Sequence, residues 1–424
     1  MKKFKIVPQA PRGMHDLIKE SGDLFLGLLN EIIKHSYLYG FEYIRTPIVE
    51  KEEIFTISLG ALTDVIEKEM FYVERKEKGE KYVLRPEGTA AIARAYLQNG
   101  MHSWPQPVRL FYFGPMFRHE RPQAGRFREH YQWGIEILNS EDPIYDAKII
   151  QVFDRFLKKF KLKDFIFKIN SIGCLNDRTK YKQALKRYYR KYLKNVCEDC
   201  KRRYSVNPLR MLDCKNEKDQ EIKKNAPILL NYLCKQCEEH FKKTLEYIEE
   251  LGISYELDPY LVRGFDYYSR TVFEIFFVES PVAIGGGGRY DYLIKFLGSK
   301  QTPGVGGALG LERLMEILKL HQINLKASKK PNVFIAYATE KAKNYAFYVY
   351  DLLLRHNINA AENFAKNSLT SQLEYADKLG VKYCIIIGHQ EMGSKSVILK
   401  NMIDKIQEII PLDDLIEELK NRLK

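Results

Sequence analysis

The stretch that most constrains this chain runs from Phe111 to Glu136 and reads FYFGPMFRHERPQAGRFREHYQWGIE. It opens with a strand-like run of aromatics, passes through an Arg-rich loop with Pro122 and Gly125 as turn residues, and returns through a second aromatic run. The pattern predicts two strands joined by a long cationic loop. Arg118, Arg121, Arg126 and Arg128 are more guanidinium groups than a half-buried hairpin holds without anionic partners, because a buried unpaired charge is strongly disfavoured. Glu120, Glu129 and Glu136 can satisfy some of them. Taken alone, the stretch has two readings. One is a surface hairpin laced with Arg/Glu pairs; the other is a phosphate clamp, in which planar, permanently charged forks grip phosphate oxygens.

At 424 residues the chain is too long for one hydrophobic core, so two or three domains are expected. A formal charge of +13 suggests a large polyanionic partner, nucleic acid or an anionic membrane; the bland alternative is a Lys-rich surface, and of these the charge favours nucleic acid. No run of about eighteen apolar residues is present, which excludes a transmembrane helix. The N-terminal MKKFKIV imitates the basic region of a signal peptide, but Pro8, Arg12, His15 and Asp16 stand where an apolar core is needed, so a cytoplasmic location is expected. Seven cysteines, an odd number in a large chain, read as reduced thiols or metal ligands and not as a disulfide framework.

Along the chain, Leu24, Leu28, Ile32 and Tyr37 fall at helical spacing and Gly40 follows as a C-terminal cap. GFEYIRTPIVE then reads as an extended segment whose Pro47 suits an edge or interface strand. Residues 60–72 look polar and mobile, and KYVLRPEGTAAIARAYL predicts a short strand, a break at Pro86 and Gly88, and a helix capped by Thr89. Asp142 and Pro143 look like an N-cap and first helical residue, ahead of an apolar face formed by Ile149, Val152, Phe153, Phe156 and Phe160. FIFKIN at 165–170 reads as a strand. From about Cys174 to Leu251 Lys, Tyr and Cys dominate and glycine nearly vanishes, as in an inserted helical module. YELDPYLVRGFDYYSRTVFEIFF suggests a hairpin or strand pair, and TPGVGGALGLERLMEIL a glycine-rich strand entering a helix near Leu309. A polar linker at 321–331 leads to alternating strands and helices, an α/β pattern.

Several clusters carry chemistry. In LRPEGT, Glu87 and Thr89 at a strand-to-helix break can point together towards an ammonium group, although a Glu before a Gly-Thr cap is also common. In LVRGFDYYSRTVFE, Arg263 precedes Gly264, which lets a bulky ligand approach the backbone; Tyr267 and Tyr268, if extended, face opposite sides, so only one lines a given pocket. Gly285 to Gly288 are not a phosphate loop, since no GK[ST] follows, and read instead as a sheet floor for a flat ligand. GVGGALGLER puts Arg313 in the first turns of a helix, where a cation is unfavourable unless an anion is also there. Cys197-x-x-Cys200 and Cys234-x-x-Cys237, with Cys214 between, have the two-knuckle spacing of a structural zinc site; the alternative is reduced cysteines packing two helix ends.

With these pieces in order, the chain resembles the class II aminoacyl-tRNA synthetases, and among them the histidyl-tRNA synthetase family, over nearly its whole length. GFEYIRTPIVE, FRHERPQAGRFRE and GVGGALGLER are similar to the three class II motifs in their order, while RGFDYYSRTVFE and GGGRYD are similar to segments peculiar to the histidine enzymes. The resemblance implies an α+β fold: an antiparallel sheet flanked by helices in residues 1–328, with the helical insertion at about 174–251, and a C-terminal α/β anticodon-binding domain in 329–424. It also implies a homodimer through the Pro47 segment and tRNA(His), L-histidine and ATP as partners, with Mg2+. Arg118 and Arg263 would act on the α-phosphate, Arg126 and Arg313 would hold the terminal phosphates, and Glu120 and His130 would complete the ATP site. Glu87, Gly88, Thr89 and Gln132 would hold the amino-acid backbone, and Glu136 with Tyr267 and Tyr268 would face the imidazole. Where the family pattern has a Phe stacking on adenine, this chain has His130. Two rival readings are a catalytically inactive paralogue serving as a regulatory subunit of histidine biosynthesis and a synthetase for proline, threonine or glycine. The retained Arg118, Arg263 and Arg313 and the C-terminal segment oppose the first; RGFDYY and Glu136 oppose the second.

Overall fold

The computed structural model describes residues 8–60, 63, 65–74, 79–120, 126–278, 280, 282–325, 330–366 and 368–423. MKKFKIV, Arg121, the turn residues Pro122 and Gly125, and the expected boundary at 328/329 lie outside the described residues. The chain divides into two compact units, Met1–Leu325 and Lys326–Lys424. Among the described residues no helix is long and apolar enough to cross a membrane.

The first unit is built on an eight-stranded sheet. In spatial order its strands are Glu42–Tyr43, Val108–Phe117, Glu129–Leu138, Gly304–Gly310, Gly285–Arg289, Ser269–Phe277, Phe165–Ser171 and Tyr255–Leu257. The six inner strands are antiparallel, and only the two short edge strands run parallel to their neighbours. The Arg-rich hairpin forms as expected, with Phe111 opposite Ile135 and Phe117 opposite Glu129. Period-2 alternation then sorts its side chains. Phe111, Trp133, Ile135 and Ile137 enter a core with Leu24, Leu28 and Ile32 of the helix Lys19–Leu38 and with Ile149, Phe153 and Phe156 of the helix Ile144–Lys159. Tyr112, Gln132 and Glu136 alternate with these residues and belong to the opposite face.

Three expectations shift. Pro143, not Asp142, is the N-cap of Ile144–Lys159, while the Asp142 carboxylate accepts from Ile144 N at 3.0 Å. Tyr255–Leu257 and Ser269–Phe277 do not form a hairpin; each pairs with Phe165–Ser171, which lies between them. Part of the segment expected to be polar and mobile is ordered: Val65–Glu69 is a π-turn, Phe71–Val73 a strand, and Val65 and Met70 are buried.

The insertion is helical as read, with helices Leu175–Arg190, Glu198–Val206, Glu217–Lys223 and Lys235–Glu250. The expected union of Cys197, Cys200, Cys234 and Cys237 at one site does not form. Cys197 and Cys200 gather with Cys214 and Asp219, whereas Cys234 and Cys237 gather with Cys174 and Asp177. Spacing identifies each Cys-x-x-Cys pair but not the residues it meets.

The second unit is a five-stranded mixed sheet, ordered Ala360–Glu362, Val333–Tyr337, Tyr383–Ile387, Ser396–Asn401 and Gln407–Pro411. Its helices include Glu340–Arg355, Leu369–Leu379 and Leu415–Arg422, and Val333, Ile335, Val349, Leu353, Ile385 and Leu419 form its core. The edge strand Gln407–Pro411 was not evident from the sequence because mostly exposed residues interrupt its apolar pattern.

Candidate active site

The floor of the site is two paired strands with few side chains. Gly286, Gly287 and Gly288 lie opposite Ala308, Gly307 and Gly306. The omission of side chains has direct consequences. A Cβ at Gly286 would sit 2.9 Å from Arg263 Nη1, and one at Gly306 would overlap the Glu136 carboxylate. Glycine therefore lets a guanidinium and a carboxylate lie against the sheet.

Above this floor is a cavity of about 510 Å³. Glu87, Thr89, Arg118, Glu120, Arg126, His130, Gln132, Arg263, Tyr267, Tyr268 and Arg313 all line it, although they come from segments more than two hundred residues apart. Gly88 does not; it is the N-cap of the helix Thr89–Gln98 and faces the Tyr112 ring. Glu136 does not line it either. It is fully buried, with Tyr290 OH donating to Oε2 at 2.6 Å and Thr89 Oγ1 to Oε1 at 2.8 Å, and Tyr112 OH 3.5 Å away. The expectation that Glu136 faces a ligand directly is thus corrected, since Thr89 and Tyr112 carry its influence to the cavity wall. Burial holds its carboxyl up to about 8 against these hydrogen bonds.

Thr89 is not the helix cap. Gly88 holds the cap position and the Glu87 side chain supplies the capping hydrogen bonds, its carboxylate accepting from Thr89 N and Ala90 N, each at 2.7 Å. Burial nevertheless raises the Glu87 pKa above the ordinary carboxylate value, and nearby Arg118 opposes that rise. Freed from capping, the Thr89 hydroxyl turns to Glu136.

The cations are held from several directions. Arg118 Nε donates to Pro86 O at 2.8 Å, with its guanidinium 5.4 Å from the Phe265 ring centre. Arg126 pairs with Glu120 at 3.1 Å. Arg313 donates to Ala283 O, and burial, then Arg126, lower its pKa. A guanidinium depressed by other guanidiniums marks a place where an anion is stabilised. Arg263 pairs with Glu274, lies 5.7 Å from the Tyr268 ring centre, and keeps a buried Nε without a hydrogen-bond partner among the described residues. It is carried by a loop. The same loop turns at Tyr267, so both tyrosines line the cavity with ring centres 4.5 Å apart; the extended-chain expectation that only one could do so fails. His130 is kept neutral, its pKa held down to about 3 by burial and by Arg118 and Arg313.

Other lining residues escaped the sequence reading. Glu274 ends the RGFDYYSRTVFE segment and Glu312 lies inside GLER, so their motifs were visible but not their orientation. Glu312 accepts from Tyr131 N at 2.8 Å, and burial holds its carboxyl up to about 7. Arg210, Asp213 and Lys215 reach the cavity from the insertion, for which no local signal exists.

Residues 13–314 match the family described as Histidyl-tRNA synthetase, and residues 332–422 match an Anticodon binding domain. The chain is 45% identical to a histidine–tRNA ligase of Thermosipho melanesiensis, over 92% of this chain and 93% of that one. It is 43% identical to a histidine–tRNA ligase of Halothermothrix orenii, over 97% and 98%. The crystal structure of apo S. aureus histidyl-tRNA synthetase superposes with a TM-score of 0.81 at 31% identity, covering 97% of this chain and 99% of that one. A glycine-floored cavity that joins separated arginines to buried carboxyl groups, on a chain with these likenesses, leads to one assignment: the chain belongs to the histidyl-tRNA synthetase family.

Proposed function

We propose that the cavity activates L-histidine with ATP to histidyl-adenylate and that the enzyme then transfers the histidyl group to the 3′ end of tRNA(His). The carrying observation is that one cavity contains five guanidinium groups, Arg118, Arg126, Arg210, Arg263 and Arg313, together with Glu87, Thr89, Gln132 and two tyrosines. A polyphosphate and a zwitterionic amino acid are the ligands this mixture satisfies together.

In the first step a histidine carboxylate oxygen attacks the α-phosphorus of ATP, the bond to the bridging oxygen breaks, and pyrophosphate leaves with the electron pair. The nucleophile is already an anion, so no protein base is required. Arg118 and Arg263 meet the charge that builds on the α-phosphate oxygens, and Arg126 and Arg313 hold the departing phosphates. Guanidinium groups fixed beforehand favour the transition state without reorganising. Glu120 and Glu312 offer hard carboxylate oxygens of the kind Mg2+ takes alongside phosphate oxygens; bound there, the ion would supply further charge neutralisation. In the second step the terminal ribose hydroxyl of the tRNA attacks the activated carbonyl and AMP leaves.

Glu87, Thr89 and Gln132 hold the histidine backbone, and Tyr267 and Tyr268 face the ring. Glu136 acts from beneath by orienting Thr89, Tyr112 and Tyr290. An amino acid without ring nitrogens would leave these polar groups unpaired, which is the costly way to bind the wrong substrate. His130 offers its neutral ring to adenine. The second unit binds the anticodon, and the chain pairs as a homodimer through the segment around Pro47, where Tyr43 and Val49 are exposed. Exposed Lys180, Arg187, Arg190 and Lys194 of the insertion are available to tRNA phosphates.

Arg263→Ala is expected to lower histidine-dependent ATP–pyrophosphate exchange by about 10²-fold or more with little change in KM for histidine; near-normal exchange would remove Arg263 from the reaction. The unfolded chain protonates His130 near 6.5 and the folded chain not until about 3, so this group costs stability as pH falls below about 6.5. His130→Phe should therefore flatten the loss of Tm between pH 6.5 and 5 while retaining ATP binding, and an unchanged Tm profile would contradict the neutral, desolvated ring. Deleting residues 330–424 should abolish charging of tRNA while largely sparing exchange; equal loss of both would count against an anticodon role for the second unit.

A further inference from the structure

Six of the seven cysteines lie between residues 174 and 237, and they fall into two groups of three, each completed by one aspartate: Cys174, Cys234 and Cys237 with Asp177, and Cys197, Cys200 and Cys214 with Asp219. Within each group the four donor atoms lie within 4.8 Å of one another. The seventh, Cys384, is buried in the other unit. We infer that the insertion holds two separate zinc ions, each bound by three cysteine sulfurs and one aspartate oxygen.

The geometry in each group is that of a chelate. Cys234 and Cys237 occupy the N-cap and N3 positions of the helix Lys235–Glu250, and Cys197 and Cys200 the same positions of Glu198–Val206. That spacing turns two sulfurs towards one point at a helix N-terminus, where the backbone dipole favours thiolates. Cys174 and Asp177 repeat the arrangement at the start of Leu175–Arg190, so the first site is a meeting of two helix N-termini. In the second site Cys197 Sγ and Cys214 Sγ are 3.7 Å apart, close to the edge of about 3.8 Å in a tetrahedron with Zn–S bonds of about 2.3 Å.

The aspartates are oriented as ligands usually are. Asp177 accepts from Cys234 N at 3.1 Å through Oδ1 and from Cys174 N at 3.2 Å through Oδ2. Asp219 Oδ1 accepts from Cys197 N at 3.2 Å, while Oδ2 faces Cys214 Sγ at 3.0 Å. Backbone donors that fix a carboxylate among sulfurs supply the outer support a metal site needs. Cys200, Cys214 and Cys237 are buried, so an ion there would be shielded from water.

The two sites do different mechanical work. The first clips the entry of the insertion, at Cys174, to its exit helix about sixty residues later, which restricts the unfolded chain as any long-loop crosslink does. The second closes around the turn Pro208–Asp213, whose Arg210 donates to Gly264 O, beside Arg263, and lines the active cavity. Zinc binding displaces the protons of the thiols it takes up, so loading strengthens as pH rises.

Metal analysis of the full-length protein, purified under reducing conditions without chelator, tests this independently of whether the cavity activates histidine. About two zinc ions per chain are expected, falling to about one in Cys200→Ser and in Cys237→Ser. Wild-type protein stripped and reloaded with Co2+ gives a second reading that does not depend on either variant folding. An intense tetrahedral cobalt band with sulfur-to-cobalt charge transfer that saturates near two equivalents supports both sites. Zinc near one per chain or below, or no such band with the thiols freely titratable in the native protein, would overturn the two-site inference.

Discussion

Two neighbouring strands without bulky side chains are the constraint on which the site depends. Gly285–Arg289 and Gly304–Gly310 pair through the middle of the sheet, and a Cβ at several of their glycines would overlap a polar group or the adjoining backbone. Removing side chains from the centre of a sheet sacrifices packing and conformational entropy. In exchange the sheet gains a flat floor against which Arg263 and Glu136 lie. The surrounding fold offsets the loss at the end of the same strand, where the fully buried Arg289 bonds Asp146, Asp291 and the carbonyls of Ser140 and Asp142. A buried guanidinium with this many partners anchors the glycine strand to the helix Ile144–Lys159, and removing one partner would leave an expensive unpaired charge.

The chemistry follows from how charge is divided about that floor. On the side that carries the arginines, burial together with Arg118 and Arg313 keeps His130 neutral; the buried side keeps Glu136 and Glu87 above their ordinary pKa values. These are electrostatic conditions for gathering a polyanion beside a polar amino acid. The reaction proposed here needs little else from the protein, because its nucleophile and leaving group both come with the substrates.

Much of this was legible in the sequence wherever the information is local. Alternation along Phe111–Glu136 announced the hairpin, the apolar face from Ile149 to Phe160 announced its helix, and the run Gly285 to Gly288 with no following GK[ST] announced a floor and not a phosphate loop. What was hidden is non-local. The sequence does not reveal that Phe165–Ser171 inserts between Tyr255–Leu257 and Ser269–Phe277, so the expected hairpin was wrong. The turn at Tyr267 brings both tyrosines to the cavity. The Glu87 side chain, not Thr89, supplies the capping hydrogen bonds because a carboxylate two residues upstream reaches two backbone N–H groups at once. Glu136 was recognisable as important but not as buried, since its depth is set by Gly306 on another strand. The cysteines showed the same division: their spacing revealed the two Cys-x-x-Cys pairs, whereas only the fold separated them into two groups.

The central claim is that this cavity selects histidine and joins it to the α-phosphate of ATP. The most direct measurement is ATP–pyrophosphate exchange by the full-length protein with each proteinogenic amino acid supplied alone. Exchange driven by histidine and by no other amino acid is the expected result. Exchange driven by a different amino acid, or folded protein that exchanges with none, would contradict the account.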